Sequence, residues 1–183
     1  MAESRRESLI DAAAKLLDEG GPAAVTLRAV GKSAGVSHNA PYKHFADKEA
    51  LLAAVAAREL ARPAQAIDAG PYEQLWAAMR LYVRWALRYP ERFRLTFGRW
   101  TGHAEELGQA ADAARSDWVR LVAAAQGEGR LPAGDPERVT ALLLATAHGA
   151  ASLALTGHLA RDGKGRASAE DIVDDLFVNL GRR

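Results

Sequence analysis

The fold is decided by residues 26–45, TLRAVGKSAGVSHNAPYKHF. Thr26 occupies an N-cap position, where its hydroxyl can take up a free amide of the first helical turn. Leu27, Val30 and Ala34 follow at i, i+3 and i+7, the apolar face of a short helix. Gly35 ends it with a residue that tolerates positive φ, and Val36 is apolar enough to be buried. Ser37 stands as a second N-cap, opening a second short helix with polar residues on one side. Pro41 falls at the fourth residue of that helix, where it removes only the first intrahelical bond. Short helix, glycine turn, short helix is the spacing of a helix-turn-helix. Such a unit lays one helix across a DNA backbone while the other enters a major groove about 12 Å wide.

Outward from this stretch the helical reading continues. Upstream, Leu9, Ile10, Ala13, Leu16 and Leu17 recur at helical spacing, and Gly20-Gly21-Pro22 ends that helix. Downstream, Asp47 can cap a helix running from Lys48 through Leu51, Leu52 and Val55 to Leu60. Arg62-Pro63 reads as a boundary and the stretch to Pro71 as a linker. The composition then shifts: all four Trp and ten of the twelve aromatic residues lie beyond residue 63. Helices are expected near 72–88, 91–98, 103–107, 111–127, 135–161 and 168–180, with no strand-like alternation and no internal repeat. The fold class is therefore all-α: a three-helix head over residues 1–62 and a larger helical body over 63–183.

The 183 residues carry 24 Lys+Arg against 23 Asp+Glu, a net charge of +1, so no global field advertises an anionic partner. The charge is local. Between Thr26 and Lys48 stand Arg28, Lys32, Lys43 and Lys48 against the single acid Asp47. Beyond residue 63, fifteen basic and fifteen acidic residues cancel. A chain with 49% hydrophobic residues is not a disordered tail. The absence of cysteine excludes a disulfide scaffold, a thiolate metal site and a cysteine nucleophile, and it suits a reducing, cytoplasmic setting. Glu3, Glu7 and Asp11 interrupt any signal-peptide core at the start. Val139–Ala160 is long enough for a bilayer, but its threonines, histidines and alanines fit a helix buried on nearly all sides better.

The stretch TLRAVGKSAGVSHNAPYKHFADKEALLAAV, residues 26–55, resembles the DNA-binding head of TetR-family transcriptional regulators. Gly35-Val36-Ser37, Tyr42, His44-Phe45 and Lys48-Glu49 with Leu51-Leu52 carry the likeness, which spans roughly residues 5–60. It implies an all-α homodimer whose two heads bind a palindromic operator in double-stranded DNA, usually as a repressor, while the helical body binds a small effector. Carried over by position, Thr26 and Ser37 would cap helices and touch phosphates. Arg28, His38, Asn39 and Lys43 would face bases or nearby backbone, and Tyr42, His44 and Lys48 would hold phosphates. The chemistry agrees, since Asn pairs bidentately with adenine and Arg or Lys with guanine. Ala40 could offer a methyl contact to thymine at most. Lys32 reads as a solvated position, His38 as either contact or idle surface, and Phe45 as core rather than contact.

The body is similar to a subgroup with a Trp-His-Gly triplet on the penultimate helix, replaced here by Ala147-His148-Gly149. Large rings among many alanines can pack a core or leave an aromatic-lined cavity. For the second case an apolar or aromatic effector is expected against Trp76, Met79, Tyr82, Phe97, Trp100, Trp118 and His148. His103, His148 and Ser152 are the polar groups that could orient it. Thr146, Gly149, Ala150, Leu153 and Gly157 form a small-residue stripe, and Ile172, Leu176, Phe177 and Leu180 an apolar face. Those two helices can build a dimer seam or pack within their own chain. No catalytic motif stands out: no phosphate loop, no nucleophile elbow, and His103-Ala104-Glu105-Glu106 lacks a second histidine for zinc. Neither cofactor nor metal is expected. The alternatives are a helix-turn-helix protein with a filled body and no effector, or an all-α enzyme with a non-local site.

Overall fold

The computed structural model describes residues 2–62, 69–100, 102 and 105–181. Among them are eight α-helices and no strand. The helices are α1 (Ala2–Ala24), α2 (Leu27–Ser33), α3 (Lys48–Leu60), α4 (Pro71–Arg88), α5 (Pro90–Thr96), α6 (Glu105–Gly127), α7 (Pro136–Leu155) and α8 (Ala169–Leu180), with a 3₁₀ turn at Pro41–Lys43. Two compact units result, Met1–Arg62 with Tyr89–Ala113, and Pro63–Arg88 with Ala114–Arg183. The composition shift at residue 63 thus marks the first break in the chain. Residues 89–113, beyond that shift, return to the head.

In the first unit, Leu9, Ile10, Ala13 and Leu17 of α1 meet Leu27 and Val30 of α2, Phe45, and Leu51, Leu52 and Val55 of α3. Burying each of these larger side chains stabilises the fold by about 1.5–3 kcal/mol. Helical geometry in α1 breaks at Gly20 and Gly21, as the Gly-Gly-Pro triplet predicts. The Thr26 hydroxyl accepts from the Ala29 amide at 3.1 Å, and Asp47 accepts from the Ala50 amide at 2.8 Å. Gly35, at φ +66, closes α2. Its amide bonds the Lys32 carbonyl, and the Val36 amide bonds the Gly31 carbonyl at 3.0 Å, satisfying carbonyls that the helix end would leave free. Val36 then packs against the core, which fixes the exit direction of the chain.

Helix α5 is held to this unit by charge. Arg92 forks onto Asp18 of α1 at 2.9 and 2.6 Å and reaches Glu59 of α3 at 2.9 Å. The Glu59 side chain is only 1% exposed. Such a charge is tolerated in the interior because Arg92 and Arg62 both meet it. Burial pulls the Arg92 guanidinium down, but its hydrogen bonds and the charges of Asp18 and Glu59 outweigh that and leave its pKa raised.

In the second unit, Tyr72, Leu75, Met79 and Val83 of α4 pack with Val122 and Ala125 of α6, Leu143 and Ala147 of α7, and Val173 and Phe177 of α8. Ser168 and Asp171 form a reciprocal capping box at the start of α8. Three helix expectations change here. The helices read at 103–107 and 111–127 are one, Glu105–Gly127, with residues 103 and 104 outside the described part. Gly108, exposed within α6, costs a helix only about 1 kcal/mol and does not break it. The helix read at 135–161 ends at Leu155. There Gly157 takes φ +71, and the His158 amide caps the Leu153 carbonyl at 2.8 Å. Helix α7 is also not buried on nearly all sides. Thr140, Leu143, Ala147, Ala150 and Ala151 are buried, whereas Leu142 and Leu153 are 49% and 48% exposed. It is long and apolar enough to cross a membrane by length and composition alone.

Candidate nucleic-acid interface

The segment after Gly35 departs from the expected second helix. Residues 38–40 form a turn, and only Pro41–Lys43 is helical, as one 3₁₀ turn. The Ala40 amide goes to the Ser37 carbonyl at 2.9 Å, so the first bond of the segment is backbone to backbone, and no side chain caps the 3₁₀ turn. The cause is Pro41. It has no amide to donate, and its ring pre-sets the backbone for a new first turn, so helical bonding restarts there. The His44 and Phe45 amides both bond the Pro41 carbonyl, at 3.0 and 2.9 Å.

This geometry sorts the side chains cleanly. Ala40, Pro41 and Phe45 turn inward and are buried. Thr26, Arg28, Ser37, His38, Asn39, Tyr42 and Lys43 are exposed, Tyr42 at 58% despite its ring. His44 and Lys48 are half-buried. The methyl group of Ala40 is therefore spent on packing and is not offered to a base. Lys32 is exposed, as a solvated position requires. Lys48 donates to the Pro22 carbonyl at 2.5 Å, tying the start of α3 to the end of α1. Its ammonium has two further donors. The result is a surface of hydroxyl, amide, imidazole, phenol and cationic groups carried on a buried apolar floor. Such a surface suits phosphates and base edges.

The residues expected to meet an effector fall in both units. Phe97 and Trp100 lie in the first unit, Phe97 46% exposed beside Phe93, and Trp100 packed on Leu52-side core residues. Trp76, Met79, Tyr82, Trp118 and His148 lie in the second. Met79 is fully buried core. Trp76 donates to Asp174 at 2.7 Å and stacks on Phe177, the rings 5.8 Å apart and 6° from parallel. Phe177 is thereby enclosed within its own chain, as is Ala150, so neither belongs to an exposed dimer face. Gly157 likewise serves to end α7. Asp174, which also pairs with Arg80, could not be singled out from sequence because its partners lie 98 and 94 residues away.

Tyr82 and His148 do meet, the hydroxyl 2.9 Å from Nδ1. Burial pushes the Tyr82 hydroxyl far up and pulls the His148 imidazole below its usual 6.5. Both are thus neutral at pH 7, and the hydroxyl and Nδ1 share one hydrogen bond whose donor is set by the imidazole tautomer. His103 lies outside the described residues. The Thr140 hydroxyl, on the same helix as His148, is buried and has no hydrogen-bond partner among the described residues.

An exposed polar surface on a helix-turn-helix within an all-α chain is the arrangement that DNA-binding regulators use. Residues 9–55 match the bacterial regulatory proteins of the tetR family, and residues 75–176 the tetracyclin repressor-like C-terminal domain. The chain belongs to the TetR family of transcriptional regulators. It is similar to the HTH-type transcriptional repressor AcnR of Corynebacterium efficiens, 29% identical over 153 residues, 77% of this chain and 76% of that protein. A solved protein from Rhodococcus sp. RHA1 is 32% identical with a TM-score of 0.80, covering 97% of this chain and 96% of that one. AibR, solved with isovaleryl coenzyme A and operator DNA, shares the fold at 20% identity and a TM-score of 0.62, over 96% and 97% of the two chains.

Proposed function

We propose that the protein is a cytoplasmic repressor that binds a palindromic operator as a homodimer and is released by a small effector. DNA binding belongs to residues 1–62, and effector binding and dimerisation to residues 63–183, of which 89–113 are built onto the head. The observation that carries the reading is the exposed set Thr26, Arg28, Ser37, His38, Asn39, Tyr42 and Lys43 above buried Ala40, Pro41 and Phe45. His44 and Lys48 complete the phosphate contacts. A packing role would bury these polar groups or pair them; a DNA-facing role leaves them free for phosphates and base edges.

The dimer seam is the outward side of α7 and α8. Leu142 and Leu153 are exposed on α7, with Thr146 and Gly149 alongside, and Ile172, Leu176 and Leu180 are partly covered on one face of α8. Two such helices from each protomer make a four-helix contact. In the body, Tyr82 and His148, with Trp118, are the groups that would meet an apolar or aromatic effector bearing one polar atom. AibR illustrates that this fold holds DNA and a small molecule together. The effector acts by preferring one spacing of the two heads, which fit successive grooves about 34–36 Å apart; the shift is limited by its differential affinity. The repressor name of the AcnR relative supports the sign of the response.

The test is fluorescence anisotropy of the purified protein with the DNA upstream of its own gene and with a scrambled duplex, over a salt series. Tight, sequence-dependent binding at two protomers per duplex is expected. Equal, weak binding to both duplexes at one protomer each would overturn the reading.

A further inference from the structure

A cleft of about 380 Å³ lies in the first unit, lined by Arg6, His44, Phe45, Glu105, Glu106 and the start of α3. One wall carries Arg6 and His44. Arg6 projects from the first turns of α1, with its guanidinium 5.4 Å from the centre of the Phe45 ring. His44 follows directly on the 3₁₀ turn that carries Tyr42 and Lys43. The other wall carries the acids that open α6. Glu106 holds Arg6 at 2.6 Å, both side chains being partly open to solvent. The arginine beside the recognition segment is thus occupied chiefly by Glu106, with the Glu7 carboxylate farther off at 3.8 Å.

Carboxylate and phosphodiester oxygens compete for the same planar donor fork, since a guanidinium serves either bidentately. Arg6 adjoins His44, which the reading above places on phosphate, so a DNA strand running past His44 brings a phosphate into competition with Glu106. We propose that Arg6 is a further phosphate-binding residue of the head, withheld from DNA by Glu106. This rests on the DNA-binding reading. An exposed ion pair of this kind adds little to stability, so either partner can be changed without unfolding the head.

The test uses the full-length protein and a labelled mixed-sequence duplex of about 30 base pairs, long enough for two half-sites. Affinity is measured across a salt series for wild type, E106Q, R6Q, the double variant R6Q/E106Q and E105Q. Freeing Arg6 should let E106Q bind about two- to fivefold tighter at low salt. Its log–log salt slope should steepen by about 1.8, the mark of one added phosphate contact from each of the two protomers. That gain should vanish in R6Q/E106Q, because the released group is then absent. E105Q removes an equal charge from the same cleft without freeing Arg6, and its slope should stay at the wild-type value. A gain that persists in the double variant, or an equal steepening in E105Q, would assign the effect to the general field and overturn the proposal. An unchanged E106Q would overturn it while wild-type binding keeps the DNA-binding reading intact. If no variant and no wild type binds any duplex, both fall together.

Discussion

Asn39 and Tyr42 are both exposed on the recognition segment, yet they differ in what a contact would mean. An amide reads a base edge, whereas a phenol next to Lys43 serves the backbone. Asn39→Ala should therefore change which base is preferred at one operator position, by about 1–3 kcal/mol, in binding to a panel of single-base variants. Tyr42→Ala should weaken all sequences alike. An unchanged ranking in Asn39→Ala would remove it from base reading. His148 makes a prediction of a different kind. Its folded pKa lies below 6.5, so the unfolded chain takes up the proton first as pH falls. The stability it contributes is complete above 6.5 and is lost as pH drops from there through the folded pKa. Between about pH 7.5 and about pH 5.5, the loss of Tm should be smaller in His148→Gln than in wild type. Parallel curves would show that burial of this imidazole carries no such cost.

At the scale of the element, two glycines have opposite meanings that spacing alone does not separate. Gly157 sits at φ +71, just past the end of α7, whereas Gly108 lies within α6 where an added methyl group would meet nothing within 4 Å. Gly157→Ala should cost about 1–2 kcal/mol through the left-handed backbone. That should lower Tm by a few degrees, at about 2–4 °C per kcal/mol. Gly108→Ala should raise stability by about 0.5–1 kcal/mol, since a helix interior disfavours glycine. Thermal melts of the two variants check both signs. The same contrast explains how the helix ends were read. Thr26, Gly35 and Asp47 announce their caps locally, and those ends are legible in the sequence, whereas the capping box at Ser168 is seen only in the structure. The break at Gly108 and the continuation of α7 to 161 were misread because a glycine or a run of small residues is ambiguous without its backbone angles.

For the whole molecule, the decisive surface is the outward side of α7 and α8. Leu142 and Leu153 are 49% and 48% exposed on one face of α7, a pair of large apolar side chains left open on a helix proposed for the seam. Leu142→Glu with Leu153→Glu changes two exposed side chains that are not among those packed on the core of their own chain. It should leave the helical content intact while converting a dimer to a monomer in sedimentation, and tight operator binding should fall with it. A variant that stays dimeric would move the seam elsewhere.

The amino-acid order alone determined the helical class, the helix-turn-helix and its cap at Thr26, the helix start at Asp47, and the polar character of residues 37–43. These follow from interactions spanning a few residues, which periodicity and capping chemistry express directly. Only the tertiary structure decided that Ala40 faces inward and that Phe177 and Ala150 are core. It also decided that Trp76 answers to Asp174 and that Arg92 joins Asp18 to Glu59. Those outcomes depend on partners tens of residues away, whose proximity is created by packing and has no local signature in the chain.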